Sequence, residues 1–480
     1  MKPILLNFIE QDQEKYILIK KEKSEMFKNL KEKIIGASAE KKNEKKLIKE
    51  NFDVSRYETN VLSIGDSAYT CSMGAKICYG LKVDKSYAKN KAHIARIVGM
   101  GHDSVSAHSN VIALIKINGN SDIDFLNILP SIKFMNVVHL QNTIKAETED
   151  GEDKIENYML VSGTARAFRY FFMTYDFYNE DISNLALQFI KIAADSYEKE
   201  FFEKLLPQTN LFKDYLPKFN YLAPLDWNLI EEKNPETGEI EEVLDINDDS
   251  PSIHFKEIDG ERIDIIYTDN IIKLFLELKN IFKNTDNDIL IKALFDTCIC
   301  TIRMHDYSRA ISQQVNRHMS GISQESQRYV DYSEAQFVDP TLFNQERYDK
   351  STIYKVQIDG HEISGKSGEL GQKLQSVYPQ LREQGMLAQD ARSYLPFNVK
   401  TKALHTFTLT NYIHFIKVRT PKAAQEEIRR IAKEMSACYK LALNKMAEDI
   451  EESGNEELSK EARVIEVGIR KWIEKVESKD

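Results

Sequence analysis

The sequence predicts an α+β chain, on three observations. Strand-like and helical patterns intermingle without the regular alternation that builds a doubly wound parallel sheet. Val111–Ile117 is an almost continuous apolar run, the mark of a buried strand. Helical spacing dominates 365–382 and 403–451. With 42% hydrophobic and 29% charged residues among 480, the chain has material for a sizeable core, and its length allows two to four domains or one large domain with insertions.

Taken in order, residues 1–60 read as a charged helical extension. Met26, Phe27, Leu30, Ile34 and Ile35 recur at roughly helical spacing, and Lys41–Lys49 is a solvated face. The segment 61–115 reads as a compact unit. It holds a strand at Val61–Ile64, a helix carrying Ala75, Cys78 and Tyr79, a second helix over Ala92–Met100 capped by Gly101, and the 111–117 strand. Residues 116–290 read as a large mid-chain insertion: helical over 157–206, an acidic exposed hairpin over 231–264 punctuated by Pro235, Gly238, Pro251 and Gly260, and helical again over 270–284. From 291 to 450 a second compact part is expected, with a strand over Cys298–Met304 and a helix starting near Ser308, and 451–480 reads as a charged C-terminal helix. No internal repeat is legible in the sequence.

Charge and cysteine usage exclude several classes. Lys+Arg 65 against Asp+Glu 75 gives a net charge of −10, which does not suit a nucleic-acid polymer. Five cysteines, none in a C-x-x-C pair, exclude a disulfide scaffold and a zinc-finger pattern. No apolar run reaches the ~18–20 residues of a membrane span, and the N-terminus lacks a signal peptide's apolar core, so the expected compartment is the cytoplasm, with no membrane partner.

Three constellations carry chemistry. Ser308–Ser333 is dense in directional donors, including Gln314, Arg317, His318, Ser323, Gln324, Ser326, Gln327 and Arg328. Such a stretch is costly to bury without partners and suits a wet cleft for an anionic ligand, though a solvated strand–helix loop fits it equally. The second runs from Gly385 through Arg392, Leu395-Pro396, His414-Phe415 and Arg419 to Ala424–Ile428. Each arginine alone reads as a surface salt bridge. The third is Gly101-His102-Asp103-Ser104-Val105-Ser106-Ala107-His108, in which no carboxylate or cysteine set completes a metal site.

Together these segments resemble flavin-dependent thymidylate synthase (ThyX), which methylates dUMP to dTMP. The family's Gly-His-x-Ser/Thr-x-x-Glu-His is similar to Gly101–His108. Its Arg-His-Arg followed by Ser-x-Arg-Tyr resembles Arg317-His318 with Ser326–Tyr329, led by Gln314. Its later block resembles Ala391-Arg392, Leu395-Pro396, His414-Phe415, Arg419 and Ala424-Gln425-Glu427-Ile428. Four departures stand out: Met319 in place of the third arginine, a spacing of nine between Arg317 and Ser326, Ala107 in place of glutamate, and Thr408 and Thr410 where the family carries Asn-x-Arg.

The resemblance implies a mixed or antiparallel sheet flanked by helices, split by the 116–290 insertion, and a homotetramer. It implies FAD as cofactor, NADPH and methylenetetrahydrofolate as co-substrates, and a dUMP-like nucleotide as substrate. It assigns the nucleotide to Gln314, Arg317, Gln324, Ser326, Gln327, Arg328, Arg392 and Arg419, counts Arg419, Ser326 and Arg328 as catalytic, puts Arg419 against the uracil carbonyl edge, and has Ser326 position rather than attack. It assigns the flavin to His102, Ser104, Arg317, His318 and His414. The departures leave room for another pyrimidine, for hydroxymethylation, or for a nucleotide-binding subunit without catalysis.

Overall fold

Two antiparallel sheets organise the protein. The structure, a computed structural model, describes residues 57–65, 67–82, 86–117, 135–145, 153–174, 188, 189, 192, 229–233, 240–244, 258, 259, 262–339, 341 and 351–477. The expected N-terminal helices lie outside these residues. In the first sheet β1 (Tyr57–Ile64) pairs with β2 (Val111–Ile117), β2 with β4 (Lys154–Gly163), and β4 with β3 (Met135–Ile144). Its apolar strands are buried as the 111–117 run predicts, and β2 exposes almost nothing. Between β1 and β2 lie α1 (Ser67–Cys78), α2 (Tyr87–Gly99) and a 3-10 turn (Asp103–His108). Ser86 caps α2 by accepting from Lys89 N, and Gly101 ends it at φ +85°, a conformation glycine adopts without strain. Helix α3 (Ala165–Thr174) follows β4 directly.

The acidic hairpin is present as β5 (Leu229–Lys233) paired with β6 (Ile240–Leu244). The second sheet contains β7 (Ile258–Asp259), β8 (Ile263–Thr268), β9 (Ile299–Ser308), β10 (Gly321–Gln324) and β13 (Lys400–Thr408), in the order β10-β13-β9-β8-β7, every pair antiparallel. Helices α4 (Ile271–Ile281) and α5 (Asn287–Thr297) connect β8 to β9, and α6 (Arg309–Val315), capped by Ser308, leads to β10. Before β13 come a hairpin, β11 (Tyr354–Ile358) with β12 (His361–Gly365), and the short helices α7 (Ser367–Gln375), α8 (Val377–Glu383) and α9 (Ala388–Ala391). Tyr332, Tyr378, Ala391 and Val399 form a small apolar cluster under them. The chain ends in α10 (Leu409–Arg419), α11 (Glu426–Glu452) and α12 (Glu456–Glu477). None of the helices among the described residues is long and apolar enough to cross a membrane.

Two helical expectations are corrected. Residues 157–163 are the second half of β4, and the helix starts only at Ala165. Likewise 403–408 is strand, and 409–451 is two helices broken at 420–425. In both places a buried strand runs straight into a helix, so the pattern of the helix blurs into that of the strand.

Although no internal repeat is legible in the sequence, the architecture occurs twice. Each unit runs strand–helix–helix–strand, then an outer strand, an inner strand and a helix, with sheet orders β1-β2-β4-β3 and β8-β9-β13-β10. The details repeat as well. The β1–β2 register breaks between Val61 and Ser63, and the β8–β9 register breaks between Ile265 and Tyr267. Gly65 N donates to Asn110 O (2.8 Å), as Asp269 N does to Ile299 O (3.1 Å). Thr164 Oγ1 caps α3 by accepting from Ala167 N, as Thr408 Oγ1 caps α10 by accepting from Asn411 N. His139 bonds across to Asn157 (3.1 Å), as Gln324 does to Thr401 (3.4 Å).

The units pack reciprocally: α5 lies on β3 and β4, while α1 and the 3-10 turn lie on β10 and β13. One apolar core runs through both, from Leu62, Leu114 and Leu160 to Met435 and Ile469. At the junction the Asp269 carboxylate is fully buried. It accepts from Ser63 Oγ (3.0 Å), Tyr267 OH (2.5 Å), Asn110 Nδ2 (3.1 Å) and Ile299 N (2.7 Å), so both units supply donors. The equivalent residue in the first unit is Gly65, where a Cβ would stand 3.2 Å from the Tyr267 ring.

Candidate active site

The segment after β10 is held by the first unit. Ser326 N donates to Cys78 O (3.0 Å) at the end of α1, which turns the chain outward, and Tyr329 N and Val330 N both donate back to Ser326 O. Ser326 Oγ accepts from Arg328 N (3.2 Å), a local turn that presents the Arg328 side chain to solvent. The Tyr329 ring stacks at a tilt on Tyr79 (4.9 Å), with the Arg328 guanidinium 5.4 Å from the Tyr329 centroid. Behind this strip, Arg309 donates to Glu325 O (2.9 Å) and Thr401 Oγ1 (3.1 Å), and Asn316 donates to Gln324 Oε1 (3.4 Å).

The close fit of β10 against the first unit explains one departure. A Cβ on Gly321 would stand 2.6 Å from Ala107 O and 3.2 Å from Ala107 Cβ, so the backbones touch where the family places a glutamate. His108 is fully buried beside this contact. Its ring bonds Ser323 Oγ through Nε2 (2.7 Å) and Thr406 Oγ1 through Nδ1 (3.0 Å), and Thr406 in turn bonds Thr301 (2.8 Å). Burial, with His405 nearby, lowers its pKa to about 3, so the ring is neutral, one nitrogen donating and the other accepting. Thr408 and Thr410 have structural tasks: the first caps α10, the second donates to Asp296 (2.6 Å) on α5.

Arg419 closes α10 and reaches back to the loop before β10. Its Nε donates to His318 Nε2 (3.1 Å) and its Nη2 to Gln314 O (3.5 Å). His318 packs edge-on against Phe415 (4.7 Å) and lies 6.0 Å from the His414 ring. Burial, the Arg419 charge and His414 lower the His318 pKa to about 4, which leaves its Nε2 an acceptor at neutral pH. Gln314 is fixed by donating to Gln425 (2.8 Å) at the start of α11. Arg317, Met319 and His414 are exposed around this group. Among the described residues no carboxylate lies within ion-pair distance of Arg317, Arg328, Arg392 or Arg419, although acidic residues outnumber basic ones. The salt-bridge reading of these arginines therefore does not apply to the described residues.

The structure thus brings Gln314, Arg317, His318, His414 and Arg419 together, and continues through Asn316 to Gln324, Ser326, Gln327 and Arg328 on one loop and strand. His102 and Ser104 are exposed on the 3-10 turn and Arg392 is exposed beyond α9, with no hydrogen bond joining them to that group among the described residues. Cys78 O and Thr401 were not read from the sequence, while Asn316 and His108 lay within quoted segments without an assigned ligand.

A sequence model of the family described as "Thymidylate synthase complementing protein" matches residues 289–442. Among curated proteins, the flavin-dependent thymidylate synthase of Thermococcus kodakarensis is 29% identical over 146 residues, 30% of this chain and 55% of that protein. That of Clostridium tetani is 30% identical over 148 residues, 30% of this chain and 59% of that protein. The chain spans little more than half the length of these relatives. A Helicobacter pylori ThyX structure complexed with FAD and dUMP aligns at 16% identity and a TM-score of 0.27, over 37% of this chain and 93% of that one. Through residues 289–442 the chain is thus similar to the flavin-dependent thymidylate synthases, as a divergent relative.

Proposed function

We propose that the protein methylates dUMP at C5 to give dTMP, with FAD as cofactor and NADPH and methylenetetrahydrofolate as co-substrates. The observation that carries this reading is a set of arginines, Arg317, Arg328 and Arg419, with no counter-charge among the described residues, on a segment that matches the family. In a chain of net charge −10 such a group suits a phosphorylated, carbonyl-bearing ligand.

The roles are those the resemblance assigns, and the contacts around Arg419 and Ser326 support them. Arg328, with the turn at Ser326 and the Gln324 and Gln327 amides, holds the nucleotide's phosphate and sugar, and Gln314 and Arg392 contribute. Arg419, aimed by His318 and Gln314, lies against the uracil carbonyl edge. A fixed cation there stabilises the negative charge that develops on the ring as C5 gains a carbon and loses its proton. Ser326 positions rather than attacks: its Oγ accepts from Arg328 N, and no histidine–carboxylate pair adjoins it among the described residues. Arg317, His318 and His414 form an open face of cation and rings that fits a flat cofactor carrying a diphosphate, and the resemblance assigns His102 and Ser104 to the same cofactor. When bound, FAD supplies the redox chemistry that relays hydride from NADPH. A cytoplasmic homotetramer completes the reading.

The test is product analysis of the purified chain with FAD, NADPH, methylenetetrahydrofolate and dUMP. Formation of dTMP is expected. No dTMP, with another pyrimidine nucleotide modified instead, would favour the related chemistry that exposed Met319 in place of an arginine leaves open.

A further inference from the structure

The two units are alike in backbone but not at the position of the candidate site. In the C-terminal unit β10 stops at Gln324 and the chain turns out through Ser326 to Arg328, held by Cys78 O of the other unit. In the N-terminal unit the equivalent strand β3 runs on as strand to Ile144 and forms no such strip. Where the C-terminal unit has Ser323 and Gln324 on β10 and Glu325 just beyond it, β3 has Val138, His139 and Leu140, and Leu140 is in the apolar core. Where Cys78 follows the α1 register, the α4 register brings Phe282, fully buried and edge-on to Tyr158 (4.9 Å). The loop after α4 then crosses the end of β3: Thr285 Oγ1 donates to Gln141 O (3.1 Å) and Asn284 Nδ2 to Thr143 O (2.8 Å).

The hydrogen-bond relay is likewise one-sided. Thr406 has His108 and Thr301 as partners, whereas the equivalent Ser162 Oγ is buried, with the residue 1% exposed, and has no partner among the described residues. Its counterparts to His108 and Thr301 are Thr297, whose hydroxyl donates to Ala293 O, and Ile112. The remaining polar feature, Arg166 at the position of Thr410, donates to Tyr170 on its own helix. The position equivalent to Arg419 is Tyr175, outside the described residues.

We infer that one chain holds one competent pyrimidine-nucleotide site, built at the junction with Cys78, Tyr79 and His108 of the N-terminal unit acting as the built-in partner, while the symmetry-related position in the N-terminal unit is closed. This rests on the nucleotide reading above. Calorimetric titration of the full chain with dUMP, FAD present, is expected to give one dUMP per chain. Two per chain would overturn the inference and leave the proposed function standing. Absence of any binding would remove the proposed function, and the inference with it. Gln324→Ala is expected to weaken dUMP about tenfold or more, and His139→Ala, at the equivalent position, to leave affinity and stoichiometry unchanged. Weakened binding in His139→Ala, with its melting temperature unchanged, would show the N-terminal position in use and overturn the inference.

Discussion

Arg419 is set apart from an ordinary surface arginine by what it touches: a ring nitrogen and a backbone carbonyl, with no carboxylate at ion-pair distance among the described residues. Its charge is therefore available to a ligand, and it is felt by His318, whose pKa it helps lower to about 4. Replacing Arg419 by Ala is expected to cut turnover by ~10²–10³-fold through lost transition-state charge stabilisation. It should also raise the His318 pKa towards the ordinary value of ~6.5, because a nearby cation and a donor to Nε2 are removed together. Steady-state kinetics and an NMR titration of the His318 ring check the two effects, and an unshifted titration would show that the contact does not govern the pair. Arg317, Ser326, Arg328 and Arg419 were legible because the motif spacing carries them. The Cys78 carbonyl and the partners of His108 were not, since a sequence shows neither backbone acceptors nor contacts between residues more than 200 positions apart.

At the scale of elements, the site depends on how closely β10 approaches the 3-10 turn. Gly321 has no room for a side chain, and the neighbouring atom is the backbone oxygen of Ala107, which cannot swing aside. Gly321→Ala is expected to cost about 1–3 kcal/mol of stability by displacing β10, and to weaken dUMP binding because Gln324 and Ser326 move with the strand. Denaturant melts and dUMP titration measure both, and unchanged affinity would separate the strip from β10. Most elements were legible: the 111–117 strand, the Gly101 cap, the acidic hairpin and the helix after Ser308 follow from run length and capping chemistry. The strands β4 and β13 were read as helix because each is largely buried and continuous with a helix through a threonine cap.

At the scale of the molecule, the two units are joined at Asp269, whose burial raises its pKa against the pull of four donors. Asp269→Ala would take the buried acceptor from Ser63, Tyr267 and Ile299 N, and leave Asn110 only Thr297 O (3.3 Å). It is expected to cost about 3–5 kcal/mol, read as a lower urea midpoint; a loss below about 1 kcal/mol would show that the core alone holds the units. The repeat was hidden from sequence reading because the equivalent residues differ where they matter: Gly65 matches Asp269 and Ser63 matches Tyr267, while the backbone register and caps are shared. The account stands on the Ser326–Arg328 strip and Arg419 forming one cradle for a phosphorylated pyrimidine. A structure determined with dUMP bound tests this most directly. The phosphate is expected beside Arg328 and the uracil carbonyl edge against Arg419; a nucleotide seated elsewhere, touching neither guanidinium, would contradict it.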